Sequence, residues 1–218
     1  MANNGLESSL EQTLLKPGCT QAEIEEMCTK AAQTKMHGVC VPPFFVPAAK
    51  KALENSDLEI ITVVGFPFGY NNINTKAEET KKAISDGATE IDMVMNISAF
   101  KSGMINHVAD GIDSIKTLCG MNDLPLKVII ESGILTQKEI ILAAEICADK
   151  EVDFVKTSTG FIGHGATIET VSLLRNILPK TIKIKASGGI KDAQTAQAML
   201  AAGADRIGTS AGFTILEL

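Results

Sequence analysis

The chain has 218 residues, of which 45% are hydrophobic, 21% charged and 4% aromatic, with a formal charge of -6 and a pI near 5.2. That length buries one sizeable core and suits a single domain over 1–218, while the acidic balance, with no compensating basic stripe, argues against a nucleic-acid partner or an anionic membrane surface. The polar start, Met1-Ala2-Asn3-Asn4-Gly5-Leu6, lacks the order of a secretory signal, and no apolar run approaches the roughly 18 residues of a membrane span.

The five cysteines, Cys19, Cys28, Cys40, Cys119 and Cys147, show no paired spacing, so reduced thiols in a cytoplasmic protein are expected. His37, His107 and His164 are lone and far apart, so no metal site is expected.

In chain order, a few loose residues precede a short strand over 10–15, closed by Lys16-Pro17-Gly18. Thr20 and Glu23 form a capping box for a helix with Ile24, Met27, Cys28, Ala31 and Ala32 on one face, stopped by Gly38. The strand at 39–41 is cut by Pro42-Pro43, and a helix with Pro47 in its first turn runs through Leu53. Residues 60–64 are continuously apolar, as a strand buried on both faces is, and end at Gly65-Phe66-Pro67-Phe68-Gly69. Thr75 and Glu78 read as a second capping box, for a helix stopped at Gly87.

Asp92 interrupts the apolar strand at 90–96, and an amphipathic helix through Ile105, Val108, Ile112 and Ile115 follows. The strand at 126–130 ends on Glu131, and Thr136 with Glu139 caps a helix to about Ala148. Asp153-Phe154-Val155-Lys156 is a short strand that ends on a lysine before the turn Thr157-Ser158-Thr159-Gly160. Thr167 caps a helix bearing Ile168, Val171, Leu174 and Ile177. A strand at 181–186 closes on Ser187-Gly188-Gly189, Asp192 caps a helix that ends at Gly203, and the last strand, 206–210, precedes a stub of helix.

Eight strands alternating with helices read as α/β with parallel strands, and eight of them close into a single-domain (β/α)8 TIM barrel. An open doubly wound sheet is the alternative, but the first strand carries no G-x-G-x-x-G turn.

In such barrels chemistry sits where the strands end. The polar residues there include Glu11, Thr13, Cys40, Asp92, Asn96, Glu131, Lys156 and Lys185. A lysine closing a buried strand needs a partner or a job, although a strand-end lysine also snorkels to solvent. At its ordinary pKa of about 10.4 fewer than about one in a thousand is neutral at pH 7, whereas a depression of about three units makes roughly half of them nucleophilic. Burial and a second cation, Lys185, push that way, and Asp92 is placed to shuttle protons through water or to act as a structural carboxylate. Lys183 shares the face of Lys185, and proximity to Ser187-Gly188-Gly189 favours Lys185. Cys40 also reads as a small buried hydrophobe and Glu131 as an ion-pair partner. Gly160, Gly188-Gly189 and Gly208-Thr209-Ser210-Ala211-Gly212 are three late glycine turns able to bring backbone N–H groups to a phosphate.

The segments Thr13-Leu14-Leu15-Lys16-Pro17, Glu90-Ile91-Asp92-Met93-Val94-Met95-Asn96, Leu126-Lys127-Val128-Ile129-Ile130-Glu131, Asp153 to Gly160 and Lys185-Ala186-Ser187-Gly188-Gly189-Ile190 resemble the deoxyribose-phosphate aldolase family, which are class I aldolases. The resemblance implies cofactor-free, metal-independent, reversible cleavage of 2-deoxy-D-ribose 5-phosphate to glyceraldehyde 3-phosphate and acetaldehyde. It makes Lys156 the Schiff-base lysine, Lys185 the lysine that lowers its pKa and Asp92 the proton relay. Glu11, Thr13, Cys40, Thr157, Gly160, Gly188, Gly189, Ser210 and Ala211 become the candidate substrate contacts, and a homodimer is implied without an interface signature in the pattern. This chain has Glu11-Gln12 where the family commonly has Asp-His, and only a stub follows the last strand, so the tail that enters the site in longer relatives is expected to be absent and proton transfer slower. A phosphosugar isomerase working through carboxylates, or a non-catalytic phosphosugar binder, also fits the fold.

Overall fold

The computed structural model describes residues 4–218, so the reading of residues 1–3 lies outside the described residues. Residues 4–7, expected to be loose, form one helical turn, α1 (Asn4–Glu7). Eight parallel strands then close a barrel in sequence order: β1 (Leu10–Thr13), β2 (Gly38–Val41), β3 (Glu59–Val64), β4 (Glu90–Val94), β5 (Leu126–Ile129), β6 (Phe154–Lys156), β7 (Lys183–Ser187) and β8 (Arg206–Thr209). The connecting helices are α2 (Gln21–Ala31), α3 (Val46–Ala52), α4 (Ile73–Asp86), α5 (Ile97–Lys101), α6 (Ile105–Gly120), α7 (Gln137–Asp149), α8 (Ile168–Ile177) and α9 (Ala193–Ala201), with α10 (Gly212–Ile215) after β8.

Local chemistry sets most of these boundaries. Thr20 with Glu23 and Thr136 with Glu139 both form reciprocal capping boxes at the starts of α2 and α7, each satisfying two orphan N–H donors. Thr167 and Asp192 cap α8 and α9, and α4 ends on Gly87 in the left-handed region.

Three expectations are corrected. Helix α4 starts a turn before Thr75, behind Asn72, so Thr75 and Glu78 lie within the helix rather than at its cap, and Glu78 pairs with Lys81 on the surface. Helix α2 stops at Ala31, not Gly38, because the Thr34 hydroxyl and N–H both bond to the Ala31 carbonyl. Gly38 opens β2, where a Cβ would stand 2.3 Å from the Glu59 carbonyl oxygen. The fourth strand ends at Val94, since the Asn96 carboxamide accepts the Ala99 N–H 3.0 Å away and begins α5.

The main apolar core lies between the sheet and the helices, with Ile24, Ile112, Ile115, Cys147 and Leu174 all fully buried there. Burial of each such aliphatic side chain contributes about 1.5–3 kcal/mol, so the stability of the fold resides chiefly in this outer layer. The inside of the barrel is organised differently. Parallel pairing keeps partners on one face, and the register pairs Gly208 with Glu11, Glu11 with Gly38, Cys40 with Ile61, Val63 with Asp92, Asp92 with Lys127, Ile129 with Lys156 and Lys156 with Lys185. The inward face therefore carries a small apolar cluster of Cys40, Ile61 and Val63 beside several ionisable groups.

Candidate active site

A cavity of about 420 Å³ opens at the mouth, the end where the strands finish. Thr13, Lys16, Lys156, Thr159, Gly160, Ser187, Gly188, Gly189, Lys191 and Ser210 are among its lining residues. The loop after β6 packs backbone to backbone on the turn after β7. The Ala166 N–H reaches the carbonyl oxygens of Ser187 and Gly188, at 3.0 and 3.1 Å. Gly188 holds φ at +89°, and a Cβ on it would come within 2.8 Å of the Gly165 Cα, so only glycine keeps these two loops together.

Glu131, just past β5, also occupies the left-handed region, at φ 53°, which is uncommon outside glycine. Its buried carboxylate takes both the N–H and the hydroxyl of Thr159, clamping the turn that follows Lys156. Burial raises the Glu131 pKa, against the pull of the Thr159 donors and the Lys156 charge.

Beneath the cavity lies a cluster of charges. Lys156 is 3% exposed and lines the cavity, and its Nζ donates to Asp92 Oδ2 at 2.8 Å. Lys185 Nζ donates to the same oxygen at 2.6 Å and also contacts Glu11 Oε2, while Lys127 Nζ donates to Asp92 Oδ1 at 3.0 Å and contacts Glu90. Asp92, Glu11, Lys127 and Lys185 are fully buried. Gly208 makes room for this packing, because a Cβ there would lie 2.9 Å from the Lys185 stem.

Burial alone would neutralise these groups, and their partners reverse it. Desolvation acts to raise the Asp92 pKa, but Lys127, Lys156 and Lys185 hold it well below the usual carboxylate range. Desolvation likewise acts to lower the Lys185 pKa, and the carboxylates of Asp92 and Glu11 outweigh it, so the pKa is raised and Lys185 stays charged. Lys127 is raised in the same way, chiefly by Asp92 and Glu11 against burial. The ligand-capable atoms of Glu11, His37 and Glu90 lie within 4.8 Å of one another, and the positive charge beside them is the Lys127 ammonium, 3.9 Å from Glu11.

The structure thus brings Lys156, Lys185, Asp92 and Glu11 together, and sets Thr13, Gly160, Gly188, Gly189 and Ser210 around the cavity above them. Cys40 sits inside the barrel against Ile61 and Val63, with its thiol pKa pushed up to about 11 by burial. Thr157 ties β6 to β7, donating to the Ser187 carbonyl and accepting the Ser187 N–H, both at 3.1 Å. The Ala211 N–H is already taken by the Thr209 hydroxyl at 2.9 Å. Lys183 is exposed at the start of β7, its Nζ 5.4 Å from the centre of the Phe154 ring. Sequence reasoning missed Lys127 and Glu90: Lys127 is the second residue of its apolar strand rather than the one that closes it, so the criterion applied to Lys156 passed over it. It also missed His37, whose Nε2 lies 2.8 Å from Glu90 Oε1 and which carries no sequence signal.

Fold and site define a (β/α)8 barrel enzyme with its chemistry at the strand ends, where a cavity meets a buried lysine–carboxylate cluster. Residues 8–217 match the DeoC/LacD family of aldolases. A deoxyribose-phosphate aldolase of Brevibacillus brevis is 44% identical over 207 residues, covering 95% of this chain and 93% of the relative. Another, from Caldanaerobacter subterraneus, is 46% identical over 209 residues, covering 95% and 90%. Among solved structures, "QR15, an Aldolase" superposes with a TM-score of 0.93 at 40% identity, covering 97% of this chain and 94% of the other. The deoxyribose phosphate aldolase of Aeropyrum pernix, described as a unique tetramer, gives 0.91 at 29%, covering 97% and 89%. The chain belongs to the DeoC/LacD aldolase family and is a lyase.

Proposed function

We propose that this enzyme reversibly cleaves 2-deoxy-D-ribose 5-phosphate to D-glyceraldehyde 3-phosphate and acetaldehyde through an imine on Lys156. The observation that carries this reading is the sharing of one Asp92 oxygen by Lys156 and Lys185 directly under the cavity. Lys185, buried and held charged, competes with Lys156 for that oxygen. Lys156 is the cluster member that opens to the substrate.

The neutral Lys156 amine adds to C1 of the open-chain sugar. The carbinolamine loses water, leaving a protonated imine. Removal of the proton from the C3 hydroxyl lets the C2–C3 bond break, with its electron pair passing into the iminium to form an enamine, and glyceraldehyde 3-phosphate departs. Asp92 relays a proton through water to C2 of the enamine, and hydrolysis of the new imine frees acetaldehyde and restores the amine. The phosphate lies at the turns of Gly160, Gly188-Gly189 and Ser210, with Lys16 and Lys191 on the same cavity wall supplying positive charge to an otherwise acidic protein.

Borohydride reduction in the presence of substrate or acetaldehyde tests the reading. An adduct on the Lys156 peptide is the expected product; an isomerase or a binder gives none there. Five free cysteines, four of them buried, support a reducing, cytoplasmic location. Family resemblance supports a homodimer, for which light scattering should give twice the 23.1 kDa chain mass; a tetramer would overturn it.

A further inference from the structure

The buried charges extend past the chemistry described so far, to the opposite end of the barrel. Lys156 bonds to Asp92 and Asp92 to Lys127; Lys127 contacts Glu90, whose Oε1 lies 2.8 Å from His37 Nε2. Glu90 is the first residue of β4 and His37 immediately precedes β2, so both stand at the barrel floor, where the strands begin. The His37 side chain is 16% exposed, whereas those of Glu11, Asp92, Lys127 and Lys185 are fully enclosed. Of this chain of contacts, the floor end alone meets solvent away from the substrate cavity.

Within the network of Glu11, Glu90, Asp92, Lys127, Lys156 and Lys185 the charges balance when all are ionised. Glu11, Glu90 and Asp92 supply three negative charges; Lys127, Lys156 and Lys185 supply three positive ones. In the free amine, carbinolamine and enamine states Lys156 carries no charge, and this network is left one charge negative. In a medium of low polarisability such an excess is costly, and the nearest site that can take up a proton from water lowers the cost. A histidine ordinarily titrates between pH 5 and 8.

We propose that His37 is a positioning residue for the aldolase reaction. Its protonated imidazole offsets the charge lost at Lys156, acting through Glu90, Lys127 and Asp92. The inference rests on the Schiff-base reading above. The other charges around His37 are consistent with this role. Glu11 of β1 and Glu90 of β4 face it as carboxylates, while Lys127 of β5 opposes them. The half-exposed Glu59 of β3 donates its N–H to the His37 carbonyl. On the helices packed outside, Glu25, Glu26 and Lys30 of α2 and Lys50 and Lys51 of α3 are exposed to solvent, as is neighbouring Lys35. Lys183 and Arg206 flank the Phe154 ring further round the floor.

Coupling between two binding sites is reciprocal, so the proposal makes paired predictions. In Lys156→Met, which fixes residue 156 as uncharged, the His37 ring should hold its proton to a higher pH than in the wild type by NMR. In His37→Gln, which keeps an N–H donor for Glu90 without a titratable charge, the initial rate of imine formation, read by borohydride trapping and set by the neutral amine, should need a pH higher by the same amount. His37→Lys, restoring a positive charge, should bring that profile back. Unchanged His37 titration in Lys156→Met overturns the inference. So does a His37→Gln profile that overlays the wild type while the wild type still forms its Lys156 adduct. If the wild type forms no adduct at Lys156, the Schiff-base reading itself falls.

Discussion

Asp92→Asn isolates the role of the shared carboxylate, because the side chain keeps its shape and loses only its charge. Three ammonium groups contact Asp92, at 2.6, 2.8 and 3.0 Å, and all are buried. Without that charge, Glu11 and Glu90 must balance three lysines, and the amide would turn an N–H toward at least one ammonium. Removing one partner from a buried ion pair costs about 3–5 kcal/mol. The interior can instead shed a proton from one lysine, and neutralising an ordinary lysine at pH 7 costs about 4–5 kcal/mol, so both routes give a similar figure. For a chain of this length that corresponds to a fall in Tm of about 6 to 20 °C. The wild-type carboxyl is held well below its ordinary pKa by the lysines against the opposing effect of burial, so its stabilisation is fully present above the unfolded value of about 3.9. It is lost as pH falls further, through the depressed folded value.

The variant should also separate the roles proposed for Lys156 and Asp92. Because a neutral lysine relieves the excess positive charge, the initial rate at which acetaldehyde is trapped on Lys156 should hold steady or rise near pH 7. Turnover should fall by about 10²- to 10⁴-fold, the range a positioned acid–base group contributes. Denaturant titration across pH 3 to 9 measures the first effect, and trapping beside a coupled aldolase assay measures the second. A stability within 1 kcal/mol of wild type at pH 7, roughly the threshold for an exposed pair, would refute the charge-sharing argument. Adduct and turnover lost in equal proportion would refute the division of roles.

Lys156→Leu should abolish both adduct and turnover while leaving the far-ultraviolet spectrum of the barrel intact; retained turnover would remove Lys156 from the mechanism. Lys185→Leu should move adduct formation to higher pH, since Asp92 then serves Lys156 with one competitor fewer, and an unshifted profile would count against the role given to that residue. Among the five thiols, Cys19 should react first with iodoacetamide at pH 8, because it is partly exposed whereas Cys40 is enclosed with its pKa pushed up to about 11; peptide mapping reads the order. Lys76 is 4% exposed and bonds to the Val94 carbonyl at 2.7 Å, and burial lowers its pKa to about 8. The unfolded chain therefore binds more protons than the folded one between about pH 8 and 10.5, so wild-type stability should rise across that window, and Lys76→Met should lose that part of the slope.

Much of the architecture could be read from the sequence, because local chemistry determines it. Two capping boxes, the Thr167 and Asp192 caps and the Gly87 stop were legible from neighbouring residues alone. Thr75 with Glu78 has the same pattern and does not cap, because α4 already begins at Ile73, a turn earlier. A motif of two residues cannot reveal a helix start that lies before it. Gly38 looked like a helix stop for the opposite reason: its requirement is tertiary, set by the Glu59 carbonyl on the neighbouring strand.

The site shows the same limit more sharply. Alternation along a strand says which residues share a face, so Lys183 and Lys185, or Glu90 and Asp92, are equivalent by that rule. Closure of the barrel separates them by depth: Lys183 reaches the floor beside Phe154, while Lys185 stands between Glu11 and Asp92. Register between strands fixes that depth. It aligns Asp92 with Lys127 and Lys156 with Lys185, pairings assembled from positions 35 and 29 residues apart in the chain. A buried lysine can be suspected from its own strand, but its partners depend on the stagger of strands around the whole ring. For that reason Lys156 could be singled out from one stretch of sequence, while its connection through Asp92 to Lys127, Glu90 and His37 emerged only when the ring closed.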